Sequence, residues 1–96
     1  MIIVKNNILK KINNKKKILV FTANWCSPCN ILKKKLKKIE KKINILFFLI
    51  NIDYHQKYSI ELGIRVIPTI IFDFKNKIIL NGLVSIKDIL KEIFFI

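Results

Sequence analysis

The chain has 96 residues, enough for one domain with one hydrophobic core and too few for two. Apolar residues make up 52% of the sequence, which excludes a disordered chain, and two cysteines exclude a disulfide-dense secreted scaffold. Lysine and arginine outnumber aspartate and glutamate by 19 to 6, and no apolar run approaches the roughly 20 residues of a membrane span. We therefore expect a single domain over residues 1–96 without a membrane-spanning segment.

Two apolar runs near the start of the chain predict strands. Residues 2–4 form a short run suited to an edge strand, and Asn6 or Asn7 can cap a short helix that continues through Ile12. Residues 18–21 are a continuous apolar run, which is typical of a strand buried on both faces of a sheet. No signal peptide is expected, because polar residues follow residues 2–4 at once where such a peptide has its apolar core.

Residues 26–43 have the period of an amphipathic helix. Lysine dominates the surface outside its apolar stripe. A run of lysines on a helix is usually a solvated face, and we prefer that interpretation to a binding surface. The stripe consists of Leu32, Leu36, Ile39 and Ile43.

The second half of the chain predicts three further strands and another helix before its end. Residues 45–50 form a second buried strand, and residues 53–62 are a weakly patterned helix that Gly63 would stop. Residues 69–74 and 77–80 are predicted as the two strands of a hairpin. This half of the chain therefore continues the alternation of strand and helix.

The last helix begins at Ser85, which with Asp88 resembles a capping box, and continues to about Phe95. The predicted order of elements is β-α-β-α-β-α-β-β-α. Right-handed crossovers make the early strand pairs parallel, whereas the late hairpin is antiparallel. The sequence thus predicts an α/β fold with a central mixed β-sheet flanked by helices on both faces.

Two cysteines separated by two residues follow the predicted strand at residues 18–21 and open the long helix. Backbone N–H groups at a helix start are unpaired and carry partial positive charge, so a thiolate at Cys26 is stabilised there. Cys29 lies one turn further on, and Pro28 suits the first turn because its missing N–H costs no hydrogen bond. The pair can therefore cycle between dithiol and disulfide with little movement.

Three other interpretations of the cysteine pair stay open on the residues alone. A zinc site needs four ligands, whereas the chain offers two cysteines and one distant histidine, His55. A dimer could share an iron–sulfur cluster through cysteines of both chains, and two buried structural thiols are the simplest alternative. We favour a redox dithiol, for which no metal or separate cofactor is expected.

Four segments in order along the chain resemble the thioredoxin family: residues 23–29, 51–53 and 63–69, and Gly82. They span nearly the whole chain, and the Ile-Pro-Thr element nearly 40 residues after the CxxC motif makes the match specific. The resemblance implies a thioredoxin fold and dithiol–disulfide exchange through a redox-active Cys26–Cys29 disulfide. By it, a thiolate of Cys26 attacks the substrate disulfide, and Cys29 resolves the mixed disulfide.

The same resemblance assigns residues around the dithiol to substrate binding. Pro68 matches the family's cis-proline, and Ile67 before it would offer backbone groups to an extended substrate segment, like an added strand. The implied partners are disulfide-containing proteins and a flavoprotein similar to thioredoxin reductase, with the chain acting as a monomer in electron transport and cell redox homeostasis. The implied substrate-binding and site-shaping residues are Trp25, Ser27, Pro28, Val66, Ile67, Pro68, Gly82 and Leu83.

Three positions depart from the family's pattern. Ser27 stands where the motif usually has glycine, in the dipeptide that helps to set the redox potential. Val20 stands where the family usually has a buried aspartate that moves the proton of the resolving cysteine, and Leu49 replaces the lysine beside it. Replacement of the aspartate and the lysine together is physically consistent, because removal of one partner alone would leave a buried unpaired charge at a cost of roughly 3–5 kcal/mol. His55, in a polar segment away from both motifs, is interpreted as a surface histidine.

The net charge of +13 is typical of a chain that binds nucleic acid or an anionic surface. However, lysine is abundant together with isoleucine and asparagine, as in proteins of AT-biased genomes, and Arg65 is the only arginine available for base recognition. We therefore expect no specific nucleic-acid partner. The favoured function is a cytoplasmic protein-disulfide reductase. The alternatives are an oxidase or isomerase in an oxidising compartment and a repurposed thioredoxin fold that serves as a binding subunit.

Overall fold

The computed structural model describes residues 1–5, 16–44, 46–74 and 76–94 of the chain. The helix predicted through Ile12 and the predicted helix end at Phe95 lie outside these ranges. Three helices occupy the described residues: α1 (Ser27–Glu40), α2 (Gln56–Glu61) and α3 (Ile86–Phe94). Five strands accompany them: β1 (Ile2–Ile3), β2 (Lys17–Thr22), β3 (Phe47–Asn51), β4 (Thr69–Asp73) and β5 (Ile78–Asn81).

The five strands form one mixed sheet in the order β1-β3-β2-β4-β5. β3 pairs in parallel with both β1 and β2, whereas β4 is antiparallel to β2 and to β5. β2 is the central strand, and all 6 of its residues are buried, as its continuous apolar run predicts. The prediction of a mixed sheet with parallel early pairs and an antiparallel hairpin is confirmed.

Alternate residues of β2 point to opposite faces of the sheet, and helices cover each face. Ile18 and Val20 share one core cluster with apolar residues of α1 and α3. Leu19 and Phe21 belong to a second cluster, against which Tyr58 of α2 packs. The sheet therefore lies between two helical layers, and the end of β2 delivers the two cysteines to the edge of this sandwich.

The end of α1 differs from the prediction. The helix ends at Glu40 rather than at Ile43 because its last turn tightens, with the Lys42 N–H donating to the Ile39 carbonyl at 2.8 Å. Ile43 still packs against the first core cluster, so the predicted apolar stripe is confirmed although the helix is shorter.

The bounds of α2 follow from turns at both of its ends. The helix begins later than predicted because residues 52–54 form a turn. Gly63, with φ at +73°, ends it as predicted, since only glycine adopts this left-handed conformation without strain. The Gly63 N–H donates to the Ile60 carbonyl and the Ile64 N–H to the Ser59 carbonyl, each at 3.0 Å. This pair of bonds is a Schellman motif.

The start of α3 agrees with the predicted cap. The Asp88 N–H donates to Ser85 Oγ at 3.1 Å, and Ile89 is fully buried in the first core cluster. Across the described ranges, no helix has both the length and the apolar character needed to cross a membrane.

Candidate functional site

The two cysteines lie where β2 gives way to α1. Cys26 is the N-cap of α1, in extended backbone conformation, and its Sγ accepts the Cys29 backbone N–H at 3.2 Å. Pro28 occupies the first turn, where it removes no helical hydrogen bond. The two Sγ atoms are joined in a disulfide, with Cα atoms 5.2 Å apart. The start of the helix thus holds both sulfurs, and the Cys29 N–H, which has no helical carbonyl partner, points at Cys26 Sγ.

The two cysteines differ in their access to solvent. Cys26 is 6% exposed and Cys29 is 0% exposed. Together with Ala23 they form a small apolar cluster, against which Ile52 and Ile67 pack. A molecule that approaches from solvent therefore meets Cys26 first.

Exposed apolar side chains are gathered at the end of the sheet that carries the cysteines. Trp25, Val66 and Leu83 are 68%, 51% and 46% exposed. Trp25 follows the end of β2, Val66 precedes the start of β4, and Leu83 follows the end of β5. The register places these strand ends side by side, because the start of β4 lies opposite both the end of β2 and the end of β5. Apolar area left in water at one place is typical of a contact surface for a partner. Ser27 and Pro28 are exposed at the same end of the sheet.

The loop before β4 is tied to the end of β5. The Ile67–Pro68 peptide bond is cis, as the resemblance implies, and Pro68 is buried. Gly82, with φ at +84°, donates its N–H to the Pro68 carbonyl at 2.7 Å. The Thr69 hydroxyl donates to the Val66 carbonyl at 2.6 Å. These bonds hold the loop in place beside the cysteine cluster.

A series of hydrogen bonds that the sequence analysis missed supports Trp25. Its indole N–H donates to Asp53 Oδ2 at 2.9 Å, and the Asp53 backbone N–H donates to Asn51 Oδ1 at 2.8 Å. Asn51 Nδ2 donates in turn to Asn24 Oδ1 at 3.4 Å. Because β2 and β3 are parallel neighbours, residues that follow the two strands meet at one edge of the sheet. No local pattern in the sequence reveals this contact, because it depends on the pairing of two distant strands.

The middle of the sheet is apolar where Val20 lies. Val20 is 0% exposed and is the register partner of Leu49 on β3 and of Ile70 on β4. The two positions at which the sequence departs jointly from the family pattern are therefore direct neighbours. None of these three side chains can accept or donate a proton.

His55 is partly exposed, in agreement with the prediction of a surface histidine, but its ring is also held by a distant segment. It is half-buried before α2, and its Nε2 donates to the Val4 carbonyl at 2.8 Å. The contact arises because β1 pairs with β3, a long-range pairing that the polar segment around His55 does not reveal. Within the part of the chain that the structure describes, no three His, Cys, Asp or Glu side chains converge as a metal site would require.

Known proteins share this sequence pattern and architecture. The family model for thioredoxin matches residues 1–93. Thioredoxin H5 of Arabidopsis thaliana is 34% identical over 90 residues, which cover 91% of this chain and 76% of that protein. A thioredoxin of Borreliella burgdorferi is 34% identical over 84 residues, which cover 80% and 72%. The oxidised form of mitochondrial thioredoxin 3 from Saccharomyces cerevisiae has the same fold, with a TM-score of 0.83 at 20% identity and coverage of 100% of this chain and 95% of that one.

Proposed function

The chain belongs to the thioredoxin family of thiol–disulfide oxidoreductases, and we propose that it reduces the disulfides of other proteins. The observation that carries the proposal is the asymmetry of the cysteine pair. Cys26 sits at a helix start with residual exposure, whereas Cys29 is fully buried one turn further on. Cys26 Sγ can therefore contact a substrate while Cys29 Sγ stays buried beside it.

Reduction proceeds by two exchanges of a disulfide bond. The Cys26 thiolate attacks one substrate sulfur, forms a mixed disulfide and releases the other substrate sulfur as a thiolate. The helix start favours the attacking anion, because unpaired N–H groups and the helix dipole stabilise negative charge there. The Cys29 thiol then loses its proton and attacks Cys26 Sγ. This releases the second substrate thiol and leaves Cys26–Cys29 as the disulfide.

The surface around the dithiol suits an extended segment of a protein. The backbone of Ile67, beside the buried cis-proline, would pair with such a segment as an added strand. Trp25, Val66 and Leu83 supply exposed apolar contact area on either side of it. Ser27, Pro28 and Gly82 shape the same surface.

Turnover requires two electrons to reduce the Cys26–Cys29 disulfide again. A flavoprotein similar to thioredoxin reductase is the proposed donor, since family members are generally reduced in this way. The chain is proposed to work as a monomer in the cytoplasm, in electron transport and cell redox homeostasis, without a metal, a separate cofactor or a specific nucleic-acid partner. The position of Cys26 and Cys29 at the start of one helix supports a self-contained dithiol.

Reduction of insulin by dithiothreitol tests the activity. The chain should accelerate the reaction, and the Cys26→Ser variant should not, because the attacking sulfur is gone. Activity no greater than that of Cys26→Ser would favour a binding subunit.

The direction of electron flow is tested by equilibrating the chain with glutathione buffers. A potential near the roughly −270 mV of thioredoxin supports a reductant, whereas one near the roughly −120 mV of the strongest protein oxidants would reverse the assignment.

A further inference from the structure

A cavity of about 520 Å³ opens at the carboxyl ends of β1, β2 and β3 and shares no lining residue with the groove beside Ile67. Its volume falls within the roughly 300–1,000 Å³ typical of small-molecule sites. We propose that this cavity binds a small organic anion, namely a carboxylate or phosphate group joined to an apolar body. The inference is independent of the proposed redox function.

The apolar side chains that line the cavity would contact the apolar body of the ligand. Val4 and Leu49 line its inner side, and Ile3 and Tyr54 stand at its mouth, 63% and 77% exposed. The His55 ring fixes this wall, because its Nε2 donates to the Val4 carbonyl at 2.8 Å. Burial of such exposed apolar area by an aromatic or aliphatic group is favourable by about 25 cal/mol per Å².

The charged side chains that line the cavity are lysines, which favour an anionic group at the polar end of the ligand. Lys5 and Lys33 both line it, from the end of β1 and from α1. All 6 acidic residues of the chain lie in the described ranges, and none of them lines the cavity. Asp53, the acid that follows β3, accepts the indole N–H of Trp25. The two ammonium groups thus meet no carboxylate in the cavity.

Neutral donors complete the anion site. Asn24 and Asn51 line the cavity, and the Asn24 carbonyl oxygen accepts from Asn51 Nδ2 at 3.4 Å. That arrangement leaves the Asn24 amide N–H groups without a side-chain or carbonyl acceptor in the described part of the chain. An anion oxygen placed between Asn24 and Lys33 would receive both a neutral and a charge-assisted hydrogen bond.

Binding of phenyl phosphate to the oxidised full chain, followed in ¹⁵N–¹H correlation spectra at low ionic strength, tests the proposal. Benzoate replaces the phosphate by a carboxylate, and inorganic phosphate and phenol each supply one half of the ligand. We expect saturable shifts at the residues lining the cavity with phenyl phosphate, benzoate or both. Each half-ligand should bind about tenfold more weakly, because it forfeits either the apolar or the ionic contact.

Two lysines of α1 provide the matched pair of variants. Lys33 lines the cavity, whereas its neighbour Lys34 is exposed and does not. Lys33→Gln should weaken binding about fivefold and Lys34→Gln less than twofold. The proposal is overturned if neither aromatic anion saturates, if inorganic phosphate binds as tightly as phenyl phosphate, or if the two variants lose affinity equally, since each result would reveal only general attraction to a basic chain.

Discussion

Two buried positions of β2 differ in polarity, since one carries a charged side chain and the other an apolar one. At the start of the strand, Lys17 is almost fully buried, and its Nζ lies 2.7 Å from Asp73 Oδ2 on β4. Near the middle of the strand, Val20 is the register partner of Leu49 and Ile70 and packs in an apolar core cluster. A buried charge is tolerated where an ion of opposite charge lies beside it, whereas the side chain at Val20 carries no charge. The contrast teaches that the fold can omit the buried acid of its family without leaving an unpaired ion behind.

The omission has a chemical consequence at the site. Cys29 is fully buried, and none of the side chains of the sheet's apolar floor, at positions 20, 49 and 70, can take its proton. In the proposed mechanism, the proton then passes to water or to the substrate thiolate that leaves in the first exchange. We therefore expect the apolar floor to affect the proposed resolution step rather than the attack.

The largest effect is expected from Cys29→Ser, which removes the resolving sulfur while the attacking sulfur stays. Mixed disulfides between Cys26 and substrate proteins should accumulate, because nothing inside the chain can release them. Non-reducing mass spectrometry of the variant with a disulfide substrate detects them. Cys26→Ser is the control, and trapping by that variant instead would reverse the roles of the two sulfurs.

Val20→Asp places a carboxyl in the apolar floor without a cationic partner. The free energy of unfolding should fall by on the order of 3 kcal/mol, because the carboxylate is poorly solvated there. Burial raises the pKa of such a carboxyl, so the unfolded chain ionises first and the loss should grow as the pH rises above about 4. The same carboxylate should speed resolution near neutral pH as a proton acceptor for Cys29.

Val20→Asn is the matched control for this substitution, since it is equally polar and cannot ionise. It should lose stability without a gain in the rate of resolution, measured by stopped-flow. If Val20→Asp is as stable as the parent, the position is not buried. If stability falls and resolution is unchanged, another route already carries the proton of Cys29.

A smaller effect is expected at the hydrogen bond between Trp25 and Asp53. Asp53→Ala removes the acceptor of the Trp25 indole N–H, and Trp25→Phe removes the donor while it keeps an aromatic ring. Each should lower kcat/KM for insulin reduction about fivefold, which corresponds to the loss of one exposed hydrogen bond. The double variant should be no slower than the worse single one, because both substitutions remove the same bond. Additive losses would show that the two residues act separately.

The smallest effect concerns Tyr58 of α2, whose ring stacks on Phe21. Burial, and then the charges of Asp73 and Glu61, raise the pKa of Tyr58 above its ordinary value. Above about pH 10 the unfolded chain ionises first, so stability should decline as the pH rises toward the raised pKa of the folded chain. Tyr58→Phe should lessen this decline in alkaline melts, whereas Tyr54→Phe, at an exposed position, should not. Identical slopes for the two variants would contradict the assignment.

Sequence reasoning succeeded where one local pattern carries the information. The continuous apolar run of β2 predicted its burial on both faces, and the glycine at position 63 predicted the end of α2. The two cysteines were placed at a helix start by their spacing and by the strand before them. Each of these features depends on residues that are close together in the chain.

The rest depends on contacts between distant segments. The hydrogen bond from His55 to Val4 exists only because β1 pairs with β3, and the bond from Trp25 to Asp53 requires β3 beside β2. The cavity at the carboxyl ends of the three parallel strands likewise combines residues from four segments. A single sequence contains no periodicity that records such pairings.

Alkylation of the reduced chain tests the central claim, the division of labour between the two sulfurs, most directly. Iodoacetamide at neutral pH, with the modified site read by mass spectrometry over time, compares the two thiols in one sample. The account predicts that Cys26 is modified much faster, because it is the more exposed sulfur and the helix start stabilises its thiolate. Preferential or equal modification of Cys29 would contradict it.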